Sequence, residues 1–349
     1  MAAARAPAPY VTPDVRNTGI GANHLWRGEH VVFASDSEVA YDALRICFFP
    51  WQRERRLARE RERVSAARFS SRVLAAGEAH SLTLRNDGGI ACWGCDDVGQ
   101  APPGGVEGVF VAIAAGAYHL LALRPDGSVA CRGNNAYGQA PPDGIPGDFV
   151  AIAAGCFHSL AIRVDGSVAC WGSNFHGQAP PDGVTGDFVA IAAIGDHSLA
   201  LRRGGRIACW GRNDDGEAPP DGMPGVFVAI AAGHFHSLAL RHDGGVTCWG
   251  RNDYGEAPPD GVPGDFVAIA AGWYHSLALR RDGSIACWGL NQYGQAPPAG
   301  VDGDFVAIAA GMYHSLALRR DGSMACWGDN DDDQAPPAGV AGPFVTQEL

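Results

Sequence analysis

The chain has 349 residues, 26 of them basic and 38 acidic, for a formal net charge of −12, and every basic residue is Arg. That balance excludes broad binding along a nucleic-acid backbone, which needs a basic stripe to displace counterions. No apolar run approaches the roughly 18 residues of a membrane span and the first residues lack an apolar signal core, so a soluble intracellular protein, cytoplasmic or nuclear, is expected.

Charge is spread unevenly. Residues 1–72 hold twelve Arg against eight acids, and the remainder holds fourteen Arg against thirty acids. Residues 1–68 fit no repeat and are expected to form an extension, partly disordered and partly helical. The Ala/Pro-rich stretch from Ala2 to Pro13 lacks the apolar content to order itself. Asp36 and Ser37 would cap a helix running through Val39, Ala40, Ala43, Leu44 and Cys47 and stopping before Pro50. From Arg53 to Arg63 come six Arg and three Glu, a pattern for a solvated basic helix. Such a segment suits nuclear import, an acidic partner, or folding back on the acidic remainder.

From residue 69 to 349 one unit recurs every 39 residues, marked by His80, His119, His158, His197, His236, His275 and His314. Its fullest form, from Phe149 to Pro181, reads F-V-A-I-A-A-G-x-x-H-S-L-A-I-R-x-D-G-S-V-A-C-W-G-x-N-x-x-G-Q-A-P-P. Arg follows each histidine by five residues and Cys by twelve; Trp follows by thirteen in six copies, Arg132 standing in the other. One supersecondary unit, multiplied without insertion, buries its apolar faces only against its neighbours.

Within each copy F-V-A-I-A-A, H-S-L-A-L-R and S-V-A-C-W-G read as three successive strands. The second link is a tight Asp-Gly hairpin in six copies, with Gly204 replacing the Asp in the fourth. The proline-rich Q-A-P-P segment suits a connection or a weak fourth edge strand. The expected fold is therefore all-β, a seven-bladed β-propeller with three to four antiparallel strands per blade. The first copy has only a degraded first strand, placed at Ser71-Arg72-Val73-Leu74. Phe344-Val345-Thr346 begins an eighth copy, and the expectation is that it closes the ring beside the first blade. Up-down-up topology puts the G-x-x-H turns and the G-x-N-x-x-G loops on one face, and the D-G turns on the other.

The pattern A-A-G-x-x-H-S-L-A-L-x-x-D-G-x-V-x-x-W-G-x-N-x-x-G-Q resembles the regulator of chromosome condensation repeat over residues 70–349. The short unit is closer in length to beta-lactamase-inhibitor protein II than to the founding member. The resemblance implies a propeller and offers several functions. Guanine-nucleotide exchange on a small GTPase depends in that family on a projecting wedge, and no insertion interrupts His80 to His314. Ultraviolet-B sensing depends on clustered tryptophans in G-W-R-H-T motifs, and Gly272-Trp273-Tyr274-His275-Ser276 is the single similar site. Recognition of a protein partner needs neither.

No residues suggest catalysis: a G-x-S-x-G elbow and a phosphate-binding loop are both missing. The seven histidines share one context without a second ligand nearby, so no metal site is expected. Asp329-Asn330-Asp331-Asp332-Asp333 opens like a calcium loop, but Gln334 and Val340 stand where Gly and Glu belong. Seven cysteines hold one repeat position and read as small buried apolar residues in a reducing compartment, too far apart to pair. No cofactor is expected. What varies are the tips. Tyr118, Phe157, Phe235, Trp273, Tyr274 and Tyr313 precede the histidines, and Tyr137, Phe175, Tyr254 and Tyr293 lie in the second loops, mixed with Asp. Aromatic anchors ringed by charge are the composition of a protein-binding hot spot. The expected function is accordingly a non-enzymatic protein-protein interaction module.

Overall fold

The alternating runs pair as their spacing demands. The computed structural model describes residues 25–27, 30–32, 72–342 and 344–346. By contacts the chain divides into Met1–Leu57 and Ala58–Leu349. In the first unit two short strands, Leu25–Arg27 and His30–Val32, pair antiparallel with Leu25 opposite Val32. The disordered stretch and the two helices expected before residue 69 lie outside the described residues.

The second unit contains seven three-stranded antiparallel sheets. The third blade is representative: Phe149–Ala154 is innermost, His158–Arg163 in the middle and Val168–Gly172 outside. A fourth strand is reduced to a single bridge in every blade, such as Val168 with Val184, whose amides and carbonyls bond reciprocally at 2.8 and 2.9 Å. Proline has no amide to extend that pairing, so the A-P-P-D-G segment stops at one residue pair.

Two local features explain recurring residues. In the third to seventh blades the Arg that ends the middle strand pairs across a bulge with the Phe that begins the inner strand, as Arg163 does with Phe149. In four of these blades the guanidinium lies over that ring, 5.9 Å from the centroid for Arg163 and 4.6 Å for Arg202 over Phe188. Glycine opens the G-x-x-H turn because a Cβ at Gly77 would overlap both the His80 ring and the Gly116 carbonyl of the next blade.

Middle strands are buried on both faces, His80–Leu84 and His119–Leu123 throughout. Leucines fill the seams between blades, and Ala on the opposite face admits close approach of the neighbouring sheet. Leu74 and the Ile residues of the inner strands line a narrow central channel of about 150 Å³.

Ring closure occurs by a split strand. In the first blade the inner strand is Leu74–Ala76, while Arg72 and Val73 are helical. This corrects the sequence placement of a strand at Ser71–Leu74. The missing first half comes from the C-terminus: Phe344 bridges Arg85, and the Val345 amide donates to the Leu84 carbonyl at 3.2 Å. Phe344 and Val345 are each 4 % exposed and join the core of the first blade. The closing segment is one bridge long because its continuation is supplied by Leu74–Ala76.

Candidate protein-binding face

Each blade sends its G-x-x-H turn and its G-x-N-x-x-G loop to the same end. The loop is held from within. Asn135 Oδ1 accepts the Ala140 amide at 2.9 Å, and buried Gln139 accepts the Tyr137 amide at 2.9 Å. The same two bonds recur in the third blade from Asn174 and Gln178. These bonds fix the loop backbone and leave the variable side chain between them facing outward.

All ten aromatic residues singled out from the sequence lie in two stacked groups. Tyr118 stacks on Phe157 at 6.0 Å between centroids, Tyr137 meets Phe157 edge-on at 5.5 Å, and Phe175 meets Tyr137 at 5.9 Å. In the second group Phe235, Tyr274 and Tyr313 follow one another at 5.8 and 6.1 Å. Tyr254 packs against Tyr274, Tyr293 against Tyr313 and Trp273 against Tyr274, at 5.7, 5.1 and 6.4 Å. Asp196 in the fourth blade and Ala79 in the first occupy the equivalent positions between the groups.

The pre-histidine rings are half-buried by these stacks, so they both pack and present a surface. The loop rings stand clear: Phe175 is 80 % exposed and Tyr137, Tyr254 and Tyr293 about half exposed. Sequence reasoning missed three neighbours. Arg212 and Arg251 lie over the Phe235 ring at 4.7 and 5.4 Å while pairing with Asp214 and Asp253. His234 stacks on Phe235 and meets Trp273 edge-on. An R-N-D run within the G-x-N-x-x-G loop, at Arg212–Asp214 and Arg251–Asp253, was the available signal.

The repeat histidines serve the seams. His119 Nε2 lies 2.9 Å from Ser159 Oγ of the next blade, and the same bond joins His158 to Ser198, His197 to Ser237, His236 to Ser276, His275 to Ser315 and His314 to Ser81. Ser159 Oγ donates its proton to the Gln139 carbonyl at 2.9 Å, so it accepts from the imidazole, which is therefore the neutral Nε2–H tautomer. Trp171 Nε1 donates to that same carbonyl at 2.9 Å. Burial lowers these imidazoles to about 3 at His119 and His158. The repeated cysteines are free thiols, and burial pushes that of Cys131 up to about 12. Among the described residues no group of three His, Cys, Asp or Glu side chains converges on a metal-sized site. No helix among them is long and apolar enough to cross a membrane.

Fold and face together define a seven-bladed β-propeller with one aromatic end. The regulator of chromosome condensation (RCC1) repeat model matches residues 110–139, 149–178, 188–217, 227–256, 266–295 and 305–334, more than half of the chain. The chain belongs to the RCC1 repeat family. Its fold is similar to that of the CRINKLY ectodomain of the Arabidopsis thaliana receptor kinase ACR4, with 24 % identity, 77 % of this chain and 98 % of that chain covered, and a TM-score of 0.61. The ectodomain of the Physcomitrella patens receptor kinase CR4 matches at 26 % identity over 73 % and 72 % of the two chains, TM-score 0.60. Prp20p from Saccharomyces cerevisiae, described with its binding properties to Gsp1p and histones, matches at 21 % identity over 80 % and 87 %, TM-score 0.59. No curated protein sequence matches the chain.

Proposed function

We propose that this propeller is a non-enzymatic module that recognises a protein partner through its aromatic end. The observation that carries the reading is the pair of aromatic groups, Tyr118 to Phe175 and Phe235 to Tyr313, on a rigid frame whose loop rings are about half exposed or more. Rigid aromatic side chains contribute large contact area at little loss of conformational entropy, and Arg–Asp pairs at the rim add orientation. A partner segment presenting apolar anchors flanked by basic residues would suit this surface, because the loops carry Asp214, Asp253, Asp331 and Asp332 beside the rings.

The test is parallel affinity capture with wild type, the Tyr137→Ala/Phe175→Ala variant and the Tyr274→Ala/Tyr313→Ala variant, followed by binding measurement on the purified partner. Loss of the partner with an unchanged melting curve supports the reading. A large loss of stability with binding intact shows that the rings only pack.

A second reading, regulation of a small GTPase, is favoured by the likeness to Prp20p, which binds Gsp1p. The uninterrupted repeats from His80 to His314 leave no projecting insertion to act on a nucleotide site. Measuring nucleotide release from a panel of small GTPases decides between the two: acceleration selects the second reading and unchanged rates remove it.

A further inference from the structure

One seam of the ring differs from the other six. Across those six, two side chains of one blade make three hydrogen bonds to its predecessor: the Ser meets the preceding His and donates to a loop carbonyl, and the Trp donates to that carbonyl as well. Ser81 and Trp93 grip the Gln334 carbonyl, both at 2.9 Å, and so close the ring. At the seam between the first and second blades Leu120 replaces the Ser and Arg132 replaces the Trp. His80 is fully buried there with no hydrogen-bond partner for either ring nitrogen. The Gln100 carbonyl, equivalent to those gripped elsewhere, faces a strand with neither Ser nor Trp.

Arg132 does not fill the space that the tryptophans fill. In the other blades the indole packs inside the seam, as Trp171 does against the Cys131 and Ala140 cluster. Arg132 is exposed, and its side chain forms no hydrogen bond or ion pair among the described residues. A cavity of about 530 Å³ opens at this place, lined by Val98, Val106 and Glu107 of the first blade and by Ala130, Arg132 and Asn135 of the second. Glu107 is held by Arg85 at 3.0 Å, whereas no ion pair among the described residues engages the flanking Arg132 guanidinium.

We propose that the seam between the first and second blades is a socket for a tryptophan side chain of a partner protein, separate from the aromatic end. The molecule itself identifies the occupant, since an indole fills the equivalent position at six seams and donates Nε1–H to the equivalent carbonyl. Within a mixed polar and apolar lining, Val98, Val106 and Ala130 supply apolar contact and Arg132 covers the ring face as a cation–π lid, while the Gln100 carbonyl, placed at the seam by the repeat, supplies an acceptor. An aliphatic side chain would fill less of the space and leave the carbonyl unmet.

The probe is 5-fluoro-N-acetyltryptophanamide, followed by fluorine NMR against the full-length protein. Saturable binding to wild type is expected, with loss of binding in Arg132→Trp, which restores the repeat's own residue and fills the socket. Arg132→Ala should weaken binding by about two- to fivefold, the size of one exposed cation–π contact. Tyr274→Ala/Tyr313→Ala should leave it unchanged, which separates this site from the aromatic end. No saturable binding to folded wild type, or equal binding to an Arg132→Trp variant whose melting curve shows it folded, overturns the proposal.

Discussion

His314 and Ser81 are hydrogen-bonded at 2.9 Å although 233 positions separate them in the chain. They join the last blade to the first with the same bond that joins five other pairs of neighbours. The bond is made at six of the seven seams, and at five of them the partners are 40 positions apart, so closure repeats a contact already made five times. It also shows why polar residues are tolerated in strands buried on both faces. Each Ser hydroxyl donates to a carbonyl and accepts from an imidazole, leaving no polar hydrogen unmatched.

Removing one member of such a seam should expose its value. Ser159→Ala leaves the buried His119 N–H and the Gln139 carbonyl each one partner short, and a loss of about 1–3 kcal/mol is expected. Urea unfolding reads it as a lower midpoint at unchanged slope. An unchanged midpoint would contradict the role assigned to the seam.

The split inner strand predicts a strong effect of trimming the C-terminus. Deleting residues 343–349 removes the buried Phe344 and Val345 and opens the edge of the first blade at Arg85. Burial of two such side chains corresponds to about 3–6 kcal/mol. A clear fall in melting temperature is expected, and an unaltered curve would show that the ring closes without this segment.

Acid should unfold the propeller through its histidines. Their folded values are depressed by burial, to about 4 at His80 and about 3 at His275 and His314, against an ordinary value near 6.5. Above pH 6.5 the imidazole is neutral in both states and stability is insensitive to it. As pH falls below 6.5 the unfolded chain takes up protons that the folded one cannot, so stability falls continuously until pH reaches the folded values. Melting temperature measured from pH 7 to 4 should drop steeply below about pH 6, while substituting a single repeat histidine should reduce the slope by about one proton.

Asp333 marks a correctable strain. It is the non-glycine residue with positive φ, 60°, among the described residues, at a loop position where the other six copies carry glycine. Left-handed backbone costs a side-chain-bearing residue about 1–2 kcal/mol, partly offset because glycine gains freedom in the unfolded chain. Asp333→Gly should raise stability by up to about 1 kcal/mol, measured by thermal melting. A destabilised variant would show that the Asp side chain does more than fill the turn.

Much of the fold was legible because the repeat is undisturbed. Phe149, His158, Asp165-Gly166 and Gly172 each announce a strand start, a turn or a strand end, and the 39-residue period multiplies that signal sevenfold. The same topology places Tyr137 and Phe157 at one end, since two turns separated by two strands must emerge together. The contact between them, and the stack from Phe235 to Tyr313, depended on the distance between adjacent blades, which no single copy encodes. The misplaced strand at Ser71–Leu74 has the same origin. Val73 and Leu74 look strand-like by composition, and only the arrival of Phe344 at Arg85 decides where the strand begins.

Sequence alone determined the number of blades, the identity of their strands and which residues vary, because these follow from local alternation and turn chemistry repeated at a fixed period. The tertiary structure decided what the constant residues are for. Histidine, serine, tryptophan and glutamine lie far apart along the chain and meet only when one blade packs on the next. The meaning of Leu120 and Arg132, two departures among many, therefore became visible only once the seam they fail to bridge could be seen.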